Sequence, residues 1–143
     1  MARFVVREDG FIMSFDDDEL DVNGPQIPVV ITPRVEQLSD EVKRVRTMAL
    51  IATGWQHSVF DRQLIQELGL QPKGAVQYSI PSVPGNIRDL GFEVTLFLKS
   101  GSHHDLFVAA REIAPIAMIL GRDFLKYFTF EYDGKTKKVR LFT

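Results

Sequence analysis

Met48-Ala49-Leu50-Ile51 is an apolar, β-rich run that breaks abruptly into Ala52-Thr53-Gly54, and the chain turns apolar again at Val59-Phe60 only after Trp55, Gln56, His57 and Ser58. A strand that ends in small turn residues can hold one reactive group rigidly against a neighbour. A second apolar run of the same kind, Ile119-Leu120-Gly121, lies far downstream and continues as Arg122-Asp123-Phe124-Leu125. Any fold for this chain has to accommodate two strands that each end in a tight, small-residue corner.

The remaining segments read mostly as short strands. Arg3 to Glu8 and Phe11 to Phe15 suggest a hairpin around Asp9-Gly10, with the glycine at positive φ. Ile27 to Thr32 is β-branched, and Pro28 near its start suggests an edge position. Gly74 to Ile80 and Leu90 to Leu98 form a long hairpin around Pro81 to Asn86, followed by strands at His103 to Ala109 and Ala117 to Leu120. Alternation at Phe128, Phe130 and Tyr132 turns at Asp133-Gly134 into Val139 to Phe142. Helical signals are few. Asp61 caps a helix over Arg62 to Leu68 that Gly69 ends in the left-handed conformation. A short helix is expected from Arg122 to Tyr127, and Val35, Leu38 and Val42 suggest one or two turns between Pro33 and Arg46. Some eight short strands with two modest helices predict a mainly β protein, a closed or nearly closed β-barrel.

A chain of 143 residues, 45% hydrophobic and 25% charged, suits one globular domain. The formal net charge of −2 argues against nucleic acid as a partner. No run approaches membrane-spanning length, and neither a signal peptide nor an anchor is read in the first residues. The absence of cysteine excludes disulfides and thiolate metal sites and makes the cytoplasm the default compartment. The acidic run Asp16 to Asp21, closed by Asn23-Gly24-Pro25, reads as a solvated linker in preference to a calcium loop, since adjacent carboxylates lack the alternation such loops use. Residues 1–24 are therefore read as an N-terminal hairpin and acidic linker, and 25–143 as the main domain.

The two corner motifs together resemble the retropepsin family, the single-lobed aspartic peptidases. Ile51-Ala52-Thr53-Gly54 with Ser58 matches the active-site loop pattern of apolar residue, Asp, Thr or Ser, Gly and a later Ser or Thr, except that Ala52 stands where the aspartate belongs. The resemblance spans about Pro25 to the C-terminus and implies the acid-protease barrel. It also implies a flap with Val83, Pro84, Gly85 and Asn86 at its tip, and Ile119 beside the peptide. Thr53 corresponds to the residue that stiffens two loops across a subunit boundary, and Gly54 to the one that lets backbone approach substrate. Ser58, Gly121 and Arg122 correspond to supports of the loop. Arg122 would bond an acidic residue, here Asp61 or Asp123, because Gln56 occupies the usual loop position; an exposed arginine at a helix start is the alternative. Trp55 replaces a small residue, and its indole either narrows the channel or packs outward.

Peptide hydrolysis of this kind needs two close carboxylates sharing one proton, so that one acts as base and the other as acid. One loop per chain supplies half of that pair, so the resemblance implies a homodimer acting on peptide or protein substrates, with no cofactor and no metal. Ala52 in both copies would leave neither carboxylate, and a methyl group cannot activate water. The readings that follow are an endopeptidase disabled by the minimal replacement of its aspartate, a natural pseudoprotease binding extended peptides, and a dimeric scaffold module. Retention of Thr53 and Gly54 favours the first. His57, His103 and His104 lack convergent helpers and are expected at the surface, and His57 and Ser58, as neighbours on an extended segment, are expected to point apart.

Overall fold

The computed structural model describes residues 2–35 and 41–143. Its strands are β1 (Arg3–Arg7), β2 (Gly10–Ser14), β3 (Gln26–Pro33), β4 (Val45–Ile51), β5 (Val59–Asp61), β6 (Gly74–Tyr78), β7 (Ile87–Leu98), β8 (His103–Arg111), β9 (Met118–Leu120), β10 (Thr129–Asp133) and β11 (Lys138–Phe142). Three short helices intervene: α1 (Glu19–Asn23), α2 (Arg62–Leu68) and α3 (Arg122–Leu125). The helical turns expected between Pro33 and Arg46 centre on residues 36–40, outside the described residues.

The larger sheet runs β3-β4-β9-β5-β8-β7-β6, and a further pairing of β3 with β7 closes six of its strands into a barrel. The molecule is mainly β, with β6 attached outside the ring as one arm of the hairpin it forms with β7. Closure leaves few free strand edges, which otherwise invite pairing with other chains. Pro28 sits where its missing N–H costs nothing: it pairs with Met48 of β4, and the β7 pairing begins only at Val29. Inward residues alternate with outward ones along β3, where Ile27, Val29 and Ile31 are buried, and along β7, where Val94, Leu96 and Leu98 face the same core.

The second sheet, β1-β2-β11-β10, joins the two ends of the chain. Phe11 lies opposite Leu141 and Met13 opposite Val139, and all four are at most 2% exposed within the main core cluster. The N-terminal hairpin thus shares one core with the barrel. Its turn is Glu8-Asp9, with Gly10 already paired to Arg7 and not at positive φ, one residue earlier than the glycine signal suggests. The acidic run is more than a linker: α1 buries Leu20 (2% exposed) while its carboxylates remain outside.

The α2 helix follows its sequence signals closely. Asp61 accepts the Gln63 N–H at 3.2 Å, and Gly69 takes the left-handed conformation at φ 66°, ψ 32°. Leu64, Ile65 and Leu68 form its buried stripe.

Candidate functional site

β9 is the axis of the site. It runs parallel to β4, with Leu50 opposite Ile119 and Ile51 opposite Leu120, and antiparallel to β5, with Val59 opposite Ile119. The chain therefore passes up one side of β9, crosses its end through residues 52–58 and returns down the other. Ile119 is buried between the two arms at 4% exposure. The crossing is pinned by the Ala52 N–H to the Leu120 carbonyl (3.0 Å), the Trp55 N–H to the Ala52 carbonyl (3.1 Å), the Arg122 N–H to the Trp55 carbonyl (2.9 Å) and the Asp123 N–H to the Gln56 carbonyl (3.2 Å).

Gly121 is glycine for lack of space. Its φ of −95° is open to any residue, yet an added Cβ would lie 2.8 Å from both the His57 carbonyl carbon and the Trp55 oxygen. The loop can wrap this closely only around a residue with no side chain. Beneath it, Ser58 is fully buried; its hydroxyl donates to Asp123 Oδ1 at 2.7 Å and accepts the Gly121 N–H at 3.1 Å. Asp123 Oδ1 also accepts its neighbour's amide, Phe124 N–H, at 2.9 Å.

His103 is exposed as expected, but the expectations for His57 and His104 need correction. His57 and Ser58 converge on one carboxylate: His57 Nδ1 lies 3.4 Å from Asp123 Oδ2, on the opposite oxygen from Ser58. Alternation does not apply because the chain bends at residues 56 and 57. The imidazole is only 19% exposed, and Nε2 donates to the Phe107 carbonyl at 2.8 Å, since a carbonyl can only accept. His104 is half-buried against Phe124 and Phe128, with ring centroids 5.6 and 5.0 Å away. Burial lowers its pKa, with His103 lowering it further and Asp105 opposing.

Arg122 forms an ion pair with neither expected partner. Its Nη1 donates to the Thr53 carbonyl at 2.9 Å, so the exposed guanidinium braces the loop through backbone. Asp61 is committed elsewhere, accepting from the amides of Ile113 (2.9 Å), Ala114 (3.1 Å) and Gln63, and Asp123 is held by Ser58 and His57. Gln56 also has a role the sequence does not announce: its Oε1 accepts the Ser79 N–H at 2.8 Å, tying the loop to the start of the connection between β6 and β7.

That hairpin stands over the loop. Its register runs from Gly74 opposite Gly91 to Tyr78 opposite Ile87, leaving residues 79–86 as the connection. Val83, Pro84, Gly85 and Asn86 are all exposed, Ser82 and Gly85 have positive φ, and Ser79 Oγ donates to Asn86 Oδ1 at 3.1 Å. A Cβ at Gly54 would lie 3.7 Å from Pro81 Cγ, so this connection comes down directly onto the turn. Trp55 packs inward against the cluster of Val59, Val76, Tyr78 and Ala109, as do Ile80, Ile87 and Ile113. The indole therefore does not pack outward; it is partly buried against this cluster. The end of the ladder next to the connection is further held by Tyr78 Oη donating to Asp89 at 2.6 Å, a carboxylate that also pairs with Arg111 at 3.2 Å; burial, then Asp89, raises the Tyr78 pKa.

A retropepsin-like aspartic protease from Rickettsia conorii superposes with a TM-score of 0.56, covering 99% of this chain and 94% of that chain at 15% identity. The chain has the fold of the retropepsin-like aspartic proteases. Similar too are the EIAV protease solved with the inhibitor HBY-793 (26% identity, 72% of this chain and 86% of that one, TM-score 0.46) and the retroviral protease-like domain of Ddi1 from Leishmania major (16% identity, 83% and 95%, TM-score 0.44). No protein-family model and no curated protein matches the chain.

In this retropepsin-like fold Ala52 is half-buried at the end of β4, and Thr53 and Gly54 are exposed at the crest of the turn. Residue 52 contributes a methyl group and no titratable oxygen. Among the described residues, no group of three His, Cys, Asp or Glu side chains could hold a metal ion, and no helix is long and apolar enough to cross a membrane. Of the residues that matter to the geometry, sequence reasoning missed the contribution of His57 and Gln56. Their signal is positional only, the two polar residues between the turn and the buried Ser58.

Proposed function

We propose that this chain is an aspartic endopeptidase module of retropepsin type, disabled at its catalytic position. Two copies would meet about a two-fold axis with their 52–54 turns face to face, enclosing an extended peptide beneath the two 79–86 connections. The observation that carries this reading is the turn itself. It is braced from below by Ser58 and Gly121 and from the side by Arg122, and the β6–β7 hairpin covers it at Gly54. Such bracing holds residue 52 to one position, which acid–base chemistry with a shared proton requires. Thr53 would stiffen the paired turns, Gly54 would admit the peptide backbone, and the exposed tip Val83 to Asn86 would close over it. With Ala52 in both copies, neither the base that takes a proton from water nor the acid that polarises the carbonyl exists.

The deciding experiment is the substitution Ala52→Asp, assayed on a broad peptide mixture from acidic to neutral pH, with a statine-type transition-state analogue as control. Analogue-sensitive cleavage is expected from the Ala52→Asp variant and none from the parent. A well-folded Ala52→Asp variant that cleaves nothing and ignores the analogue refutes the peptidase reading.

A second reading, peptide binding without hydrolysis, draws support from β6, which ends the larger sheet with a partner on one side only. Such an edge can accept an extended peptide as an added strand. Peptide capture equal in the parent and the Ala52→Asp variant, with no cleavage by either, would favour it.

A further inference from the structure

We propose, resting on the peptidase reading above, that Gln56 is a latch: its side chain holds the β6–β7 hairpin shut against the 52–54 turn, and a peptide enters only when that bond breaks and the hairpin rises. The spacing between connection and turn is where this begins. Pro81 Cγ lies 3.7 Å from the place a Cβ on Gly54 would take, which is ordinary van der Waals contact. An extended peptide paired to backbone on each side needs about 4.8 Å in either direction. The hairpin therefore fills the space such a peptide would take, and admitting one requires a lift on the order of 5 Å.

The hairpin is attached in a way that lets it lift as a unit. β7 pairs with β8 only as far as Gly91 opposite Ala109, so Ile87 to Leu90 pair with β6 alone and the ladder leaves the barrel there. At the point of departure Gly74 faces Gly91 across the ladder, Gly74 takes φ 151°, and the Phe107 ring fills the space a Cβ on Gly91 would need. Two opposed glycines make a joint with wide torsional freedom. Beyond it, side chains hold the ladder down: Val76 and Tyr78 pack with Val59 and Ala109, and Asp89 pairs with Arg111 at 3.2 Å. The connection itself is fixed to the loop by Gln56 Oε1, which accepts the Ser79 N–H at 2.8 Å. Gln56 and Ser79 are both exposed, so water competes for this bond and its rupture is a small step. A neutral hydrogen bond of this kind shifts a balance between closed and open forms roughly 2- to 10-fold.

The test compares Gln56→Leu, which removes the acceptor, with Gln56→Glu, which keeps an oxygen at the same reach. Trp55 is the sole tryptophan and packs against Val76 and Tyr78 of the hairpin, so acrylamide quenching of its fluorescence reports how far the hairpin is lifted. Quenching should increase in Gln56→Leu and stay at the parent level in Gln56→Glu. Equal quenching in the parent and Gln56→Leu overturns the latch, and so does an equal increase in both variants, which would show that only the packing of the glutamine matters.

A second arm places the same substitutions in the Ala52→Asp background and measures cleavage. A peptide that must wait for the open form binds in proportion to the open fraction, so Gln56→Leu should lower KM roughly 2- to 10-fold, with kcat changed less than KM and Gln56→Glu returning KM to the parent value. Increased quenching with an unchanged KM overturns the exclusion of peptide by the closed hairpin. If the Ala52→Asp chain cleaves nothing while quenching follows the expected pattern, the peptidase reading falls and the latch on the hairpin stands.

Discussion

Replacing Ser58 by alanine tests whether the loop is rigid for the reason its geometry implies. The hydroxyl is fully buried, donates to the Asp123 carboxylate at 2.7 Å and accepts the Gly121 N–H at 3.1 Å. Losing a hydrogen bond to a charged group costs about 1.5–3 kcal/mol, and leaving a buried N–H without a partner costs about 1–3 kcal/mol. The two losses overlap, because a relaxed loop admits water, so about 3 kcal/mol is the expected total. For a chain of this length, unfolding entropy near 60 °C converts that into a fall in Tm of roughly 10 °C. Asp123→Asn keeps an acceptor opposite Ser58 and should cost less, while a double-mutant cycle between Ser58→Ala and Asp123→Ala should return a coupling of about 1–2 kcal/mol. Calorimetry or denaturant titration measures all of these. A Ser58→Ala protein within about 1 kcal/mol of the parent would show that the buried hydroxyl does not hold the loop.

Gly121→Ala should destabilise by about 1–3 kcal/mol, because the new methyl meets only backbone atoms of Trp55 and His57, which cannot rotate away; an unchanged or higher Tm would contradict the close wrap around β9. His104 makes stability depend on pH. Its folded pKa is lowered, chiefly by burial, so above the ordinary histidine value of about 6.5 its contribution is fully present. As pH falls below that value the unfolded chain takes up a proton the folded chain resists, and stability drops until the folded pKa is passed. Thermal melts from about pH 8 to about pH 5 should therefore show a smaller acid-side loss in His104→Phe than in the parent, and identical pH slopes would count against this assignment.

Much of this fold is legible in local chemistry. The α2 helix is written in Asp61, its apolar stripe and Gly69, and each performs the role its type favours. The strands follow from β-branched and alternating residues, and the two corner motifs announce themselves as apolar runs cut off by small residues. Turns are less legible: Asp9-Gly10 looks like a glycine turn, but pairing of Gly10 with Arg7 moves the turn to Glu8-Asp9, a register that runs on to Arg3 opposite Ser14.

Neighbours a few positions away are enough to dictate that residues 48–54 make a strand ending in a tight turn and that Gly121 ends a second, and the absence of a carboxylate at residue 52 is plain from the residue itself. Folding in three dimensions was needed to establish that the loop wraps Gly121, that His57 and Ser58 share Asp123, that Arg122 braces a carbonyl and that Gln56 reaches Ser79. Those contacts join residues 23 to 69 positions apart. Partners so distant are chosen by which strands lie side by side in the closed barrel, a global outcome of burying the core that no local pattern encodes.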